Sequence, residues 1–309
     1  MVTMPLLLCL LLTVLGLPAL ADELPNTDIV VFQIQREGGG YQLSDPQPVA
    51  QSSGYDNQPC FSADSKDIFF SRIENEQSDI WRWSPSGETE NLTQSPWSEY
   101  SPTPVPGTRD LLSTVMIEDT GVQRLWTYSP YAGFQLLFPT IQPVGYHAWS
   151  GENIALFVLG VPHELRVAQW GVEGASKVDQ NIGRCLQKVP AQNAVSYTRI
   201  ENEEHHLKIY DFQTHKITNL RKLPAGSQDY AWLNQTTLLT WDGKTLVYGD
   251  AKRRSGWKTL PSPQPLRAVT RLAVSPDGSK LAVVFEPESD ALRVKPETVS
   301  WRGLSRPSL

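Results

Sequence analysis

The residues with the most chemistry in this chain arrive as a series. Asp56, Asn57 and Gln58 are followed by Glu99 and Tyr100, then Tyr146 with His147, then Arg184, then Asp229 with Tyr230, and finally Arg271. Acids, tyrosines and arginines gathered in one place suit a carboxylate, a peptide terminus or a sugar, because guanidinium forks and phenol hydroxyls hydrogen-bond such groups. His147 with Glu99 or Asp229 would form an acid/base pair if burial displaced their pKa values. Two readings of the series stand side by side. In one, Asp56, Glu99 and Asp229 pair with Arg184 and Arg271, waters fill the rest, and the set is internal structure. In the other, the groups converge on a concavity and bind a ligand.

Sharper catalytic signatures are missing from the sequence. His163-Glu164 has no second histidine four residues on, so the zinc-protease helix motif is absent, and there is no Gly-x-Ser-x-Gly nucleophile elbow. His205 and His206 are expected just before a strand and His215 in a turn. Lys252-Arg253-Arg254 reads as a solvated charge cluster. No catalytic residue, metal or cofactor is assigned.

What positions the series is a repeat of about 43 residues. Each polar group lies at or near three to six positions ahead of an apolar anchor, the anchors being Phe61, Val105, Trp149, Val189, Trp232 and Val274. A second series in step with it, Trp83, Tyr128, Trp170, Tyr210 and Tyr248, marks the end of a later strand. Between them lie short apolar or alternating runs at 68–73, 111–117, 154–159, 194–200, 238–241 and 281–285. Runs of that length, bounded by Gly, Pro, Asp and Ser, are strands. Four strands per repeat at this period define an all-β fold, a six-bladed β-propeller with four antiparallel strands per blade. Five repeats are whole. The sixth is split, with strands at 29–34 and 47–51 supplying the outer half of a blade whose inner half ends near Phe285, which removes an open sheet edge. The polar series then enters the innermost strands at one mouth of the central channel.

The stretch Ser275-Pro276-Asp277-Gly278-Ser279-Lys280-Leu281-Ala282, with Phe61-Ser62-Ala63-Asp64-Ser65 as a degenerate second copy, resembles the blade motif of TolB-type β-propellers with WD-repeat-like blades. The segments at 55–59, 98–104 and 143–149 are similar to those of exported bacterial TolB-like proteins without an assigned activity. The resemblance spans nearly the whole chain after residue 21. It implies a six-bladed fold and a periplasmic address more firmly than any reaction. TolB has a further amino-terminal domain and a short segment that binds its inner-membrane partner; only a few residues separate Asp22 from the first strand here, so that envelope role is not carried over. Oligogalacturonate lyases with a related propeller bind a metal through several channel histidines, whereas only His147 falls in the series here.

Residues 1–21 read as a signal peptide, with an apolar run at 5–17 and Ala19-Leu20-Ala21 as the cleavage site. An uncleaved anchor is the alternative. No later run approaches the ~18–20 apolar residues that span a bilayer. Residues 22–288 form the propeller and 289–309 a tail. A net charge of −6 argues against nucleic acid or anionic lipid as a partner. Cys60 and Cys185 fall three blades apart, too far for a disulfide, and are expected as buried thiols. The reading is a periplasmic, monomeric, non-catalytic binding or scaffold module that takes a small polar ligand or an envelope protein's tail at the channel mouth. A metal-assisted lyase or hydrolase acting on a saccharide or lactone at the same mouth is the alternative, and a structural protein using its outer blade faces is a third reading.

Overall fold

The computed structural model describes residues 25–253 and 256–288. The expected signal peptide, the whole of the expected tail and Arg254 lie outside the described residues. The chain enters with β1 (Asp28–Glu37) and β2 (Gly40–Ala50). Five four-stranded blades follow. Blade 1 is β3 (Asp56–Phe61), β4 (Ile68–Glu74), β5 (Gln77–Trp83) and β6 (Thr89–Asn91); blade 2 is β7 (Ser98–Pro104), β8 (Leu112–Ile117), β9 (Gln123–Ser129) and β10 (Gly133–Leu136). Blade 3 is β11 (Val144–Ser150), β12 (Asn153–Val158), β13 (Glu164–Gln169) and β14 (Ser176–Gln180); blade 4 is β15 (Ile182–Lys188), β16 (Ala194–Glu201), β17 (Glu204–Asp211) and β18 (Ile217–Lys222). Blade 5 is β19 (Tyr230–Trp232), β20 (Thr237–Trp241), β21 (Leu246–Asp250) and β22 (Lys258–Thr259). The last two strands, β23 (Arg271–Val274) and β24 (Lys280–Phe285), join β1 and β2 in blade 6 in the order β2-β1-β24-β23.

Every pairing within a blade is antiparallel, and the seam of blade 6 runs from Asp28 opposite Phe285 to Gln33 opposite Lys280. The first strand of each blade packs beside its counterpart in the next, β3 by β7, β7 by β11, β11 by β15, β15 by β19, β19 by β23 and β23 by β3, so the ring is closed. The split sixth blade is as the repeat predicts. Two details differ from the sequence reading. The outer strand β2 starts at Gly40, well before the expected Gln47, and His205 and His206 lie inside β17.

The core lies between blades, and strand alternation explains why the second strands read as unbroken apolar runs. In β12, Ile154, Leu156 and Val158 face blade 2, while Ala155 and Phe157 face blade 4. In β1, Val30 and Phe32 face blade 5, while Ile29 and Val31 face blade 1. Side chains of a strand point alternately to its two faces, and both faces are covered here. The junction of blades 4 and 5 is likewise apolar, around Val189, Tyr230 and Trp232. The junction of blades 1 and 2 is built differently, from hydrogen bonds. Ser78 Oγ donates to the Glu99 carbonyl at 2.7 Å, Ser78 N to Ser98 Oγ at 3.2 Å, and Ser101 N to Gln58 Oε1 at 2.7 Å.

The degenerate blade motif folds as its better-preserved copy does. Ser275 Oγ donates to Asp277 Oδ1 and accepts from Lys280 N at 2.9 Å; Ser62 Oγ donates to Asp64 Oδ1 and accepts from Asp67 N at 2.9 Å. Ser65, at φ +63°, takes the left-handed position that Gly278 fills at +72°. Cys60 and Cys185 are both free thiols, Cys185 buried and Cys60 half-buried. Burial pushes each thiol up to about 12.

Candidate functional site at the channel mouth

The innermost strands all run the same way, so their leading ends gather at one mouth of the channel. Tyr146 is the third residue of β11, Arg184 the third of β15, and Arg271 the first of β23; Asp229 immediately precedes β19. These four form one cluster across blades 3 to 6. Arg271 Nη1 donates to Asp229 Oδ1 at 2.9 Å and its Nη2 to the Tyr146 hydroxyl at 2.9 Å, with the guanidinium carbon 5.1 Å from the Tyr146 ring centroid. Arg184 Nη2 donates to Asp229 Oδ2 at 2.7 Å and to the Thr270 carbonyl at 3.2 Å.

Tyr55 and Tyr100 complete the ring from blades 1 and 2. Tyr55 immediately precedes β3, and its hydroxyl lies within the electrostatic reach of Tyr146, Arg271, Tyr100 and Arg184. Burial is the main cause holding the Tyr55 phenol well above its ordinary pKa, and burial likewise raises that of Tyr100. Both stay protonated. For Arg271, burial opposes the charge, but Asp229 together with Tyr146 and Tyr55 outweighs it and the guanidinium is held above its usual value. Side-chain exposures of 31% for Arg184, 14% for Arg271 and 10% for Asp229 place Arg184 at the solvent side of the cluster.

The other expected residues are placed elsewhere. Asp56 is fully buried and bound by Arg72, Nε to Oδ1 at 2.6 Å, and by Ser52 N at 2.8 Å, so its charge goes to Arg72 and not to Arg184 or Arg271. Asn57 is buried, with its Oδ1 accepting from Gln58 N at 2.8 Å. Gln58 bridges blades, accepting from Ser71 Oγ and Ser101 N and donating from Nε2 to the Tyr55 hydroxyl at 3.3 Å. Glu99 points into the junction of blades 1 and 2, where Ser95 and Thr93 hydroxyls donate to its carboxylate; burial pushes its pKa up to about 7.

His147 and Tyr230 are core residues, and the acid/base pair expected of His147 with Glu99 or Asp229 is not formed. His147 Nε2 lies 2.6 Å from Ser113 Oγ, which also accepts from Trp149 Nε1 at 2.8 Å and donates to the Thr103 carbonyl at 3.1 Å. With the serine proton committed to that carbonyl, the imidazole is the donor, and burial drops its pKa to about 3. Blades 4 and 5 repeat the arrangement: Ser196 Oγ accepts from Tyr230 OH at 2.9 Å and Trp232 Nε1 at 2.8 Å and donates to the Gln187 carbonyl at 3.2 Å. Both are staples between blades.

Three contributors escape the sequence reading. Tyr55 sits six positions ahead of Phe61, inside the same lead-in that yields Arg184 and Tyr100, and was legible there. Thr270 has no such signal. His205 comes near from the start of β17; burial lowers its pKa while Asp229 opposes that, and its Nδ1 lies 2.8 Å from Thr198 Oγ1. Gly183 is required beside it, since a Cβ there would sit 2.3 Å from Thr198 Oγ1.

A cavity of about 150 Å³ opens at this mouth between Arg184, Asp229, Thr270 and the apolar surfaces of Trp241, Val269 and Leu272. A larger hollow of about 340 Å³ lies at the other end of the inner strands, among the hairpin turns at 150–153 and 188–193, and is lined mainly by polar residues, Glu152 and Lys188 among them. Among the described residues no three His, Cys, Asp or Glu side chains converge as a metal site would need, and no helix is long and apolar enough to cross a membrane.

The fold is that of a six-bladed propeller structurally similar to TolB propellers. A putative TolB from Agrobacterium tumefaciens superposes with a TM-score of 0.64 at 12% identity, over 84% of this chain and 98% of that one. TolB from Acinetobacter baumannii gives 0.54 at 11% identity over 84% of this chain, which spans 63% of that protein's length. An oligogalacturonate lyase in complex with manganese gives 0.53 at 14% identity, over 80% of this chain and 83% of that one. Likeness at such identities is a likeness of fold. No protein-family model matches the chain, and no curated protein matches it in sequence.

Proposed function

We propose that this propeller is a non-catalytic binding module of the cell envelope, exported to the periplasm, that takes a small polar ligand or the tail of a protein partner at the channel mouth. The observation that carries the reading is convergence. Tyr55, Tyr100, Tyr146, Arg184, Asp229 and Arg271 come one from each blade to the same end of the channel. A group that only fills space has no reason to recur as tyrosine, arginine or aspartate in all six blades, whereas polar groups around a concavity are what a ligand site requires. The fold is shared with proteins of unrelated activity, so the reading rests on the mouth and not on the fold.

The test is affinity capture from periplasmic extract using the full chain expressed with its leader, beside a Tyr146→Ala/Arg184→Ala/Arg271→Ala variant, with mass spectrometry of both eluates. A protein or small molecule retained by the first and lost from the second is expected. Identical eluates would overturn the reading and leave the ring as internal structure. The amino-terminal peptide of the purified protein checks the address, with Asp22 the expected first residue.

A further inference from the structure

We infer that the 150 Å³ cavity at the mouth receives the terminal carboxylate of a peptide, with Arg184 and Thr270 as the recognising groups and the tyrosine ring beneath the rest of the chain. This rests on the proposed binding role of the mouth and names the ligand class.

The charge count comes first. Two guanidiniums share one carboxylate, and both oxygens of Asp229 are taken, Oδ1 by Arg271 and Oδ2 by Arg184. Each Asp229 oxygen already accepts from a guanidinium, and the cluster carries one positive charge in excess. A partly buried excess charge favours an anion, and a guanidinium edge matches a carboxylate. Arg184 keeps single donors for such a group, on Nε and Nη1. Its Nη2 serves Asp229 and the Thr270 carbonyl, while Nε is closed from solvent and has no partner among the described residues. The hydroxyl of Thr270, whose carbonyl accepts from Arg184, is also closed off with no partner among the described residues. Buried donors without acceptors are uncommon and mark a place where a partner belongs.

Size and surroundings narrow the carrier of the carboxylate. A volume of about 150 Å³ has room for a carboxylate on a short apolar group. Trp241, Val269 and Leu272 supply the apolar wall for such a group. Outside the cavity lining but in the same cluster, the Tyr146 hydroxyl accepts from Arg271, which is bound to Asp229, and the Tyr55 hydroxyl accepts from Gln58, so each keeps its proton to donate. Phenol donors in a row suit the carbonyls of a peptide backbone.

The probes are N-acetyl-Gly-Ala, the same dipeptide as its amide, propionate and glucuronate, titrated calorimetrically into the full chain and into R184Q and T270V. The dipeptide acid is expected to bind roughly 10- to 100-fold more tightly than its amide, with a similar loss in R184Q. T270V, which removes only the hydroxyl, is expected to cost about threefold while leaving the thermal midpoint unchanged or raised. Propionate is expected to bind more weakly than the dipeptide and to compete with it. Equal binding of acid and amide, or unchanged affinity in both variants, overturns the inference. So does tighter binding of propionate or glucuronate than of the dipeptide. If no probe binds while capture from extract still depends on the mouth, the ligand class is wrong and the binding role stands; if both are silent, both fall.

Discussion

At the scale of single residues, two buried titratable groups act on stability in opposite directions. Burial raises Glu99 from 4.5 to about 7, so the fold favours its proton; that contribution is full at low pH and is lost as pH rises through 7. Burial lowers His147 from 6.5 to about 3, so its contribution is full above 6.5 and is lost as pH falls. His205, also depressed, adds to the histidine side. Between pH 4.5 and 6.5 the slopes oppose. Glu99→Gln is expected to unmask the histidines, giving a loss of stability toward acid pH of about 1.4 kcal/mol per pH unit, where the parent protein is much flatter. Thermal midpoints across that range check this, and an unchanged slope would refute it. Ser113→Ala and Ser196→Ala each strip the acceptor from two buried donors, and each is expected to cost about 2–4 kcal/mol in denaturant unfolding. The staples were not legible in the sequence. His147 and Tyr230 look like mouth residues by spacing, and only the position of the partner serine in the preceding blade shows which way they point.

At the scale of elements, the repeat was legible because each blade buries both faces of its second strand and punctuates its ends with turn residues. The facing of the inner strands was not. Gln58 and Ser101 stand at φ +57° within β3 and β7, where the pairing register shifts, so strict alternation fails just where it would have told Glu99 from Tyr100. Turn chemistry, by contrast, carries over from blade to blade. Val105-Pro106-Gly107-Thr108 and Val189-Pro190-Ala191-Gln192 make the same turn, with Thr108 N to Val105 O and Gln192 N to Val189 O both at 3.3 Å. Gly107 lies at φ +77° with nothing within 4 Å of a Cβ, and Ala191 holds the same region at +58°. Ala191→Gly is therefore expected to stabilise by about 0.5–1 kcal/mol and Gly107→Ala to destabilise by a similar amount. Chemical denaturation of the pair checks the sign; a loss of stability in Ala191→Gly would show that the strained turn is held by something else.

At the scale of the whole molecule, closure depends on β1 lying against β24. Phe32 is fully buried on the blade 5 side of that seam, and Phe32→Ala is expected to cost about 3–5 kcal/mol. If the seam is integral, amides of β1 and β24 exchange only with global unfolding, so Phe32→Ala should accelerate exchange equally in blade 3 and at the seam. Faster exchange confined to blade 6 would mean that the ring opens locally. The closed ring also sets when the mouth comes into being. Arg184 and Asp229 are in place with blades 4 and 5, but Arg271 begins the penultimate strand and reaches Asp229 and Tyr146 only when blade 6 docks. During synthesis from the ribosome, then, the cluster is assembled last, and a chain halted before β23 displays every blade from 1 to 5 without the clasp that joins Tyr146 to Asp229.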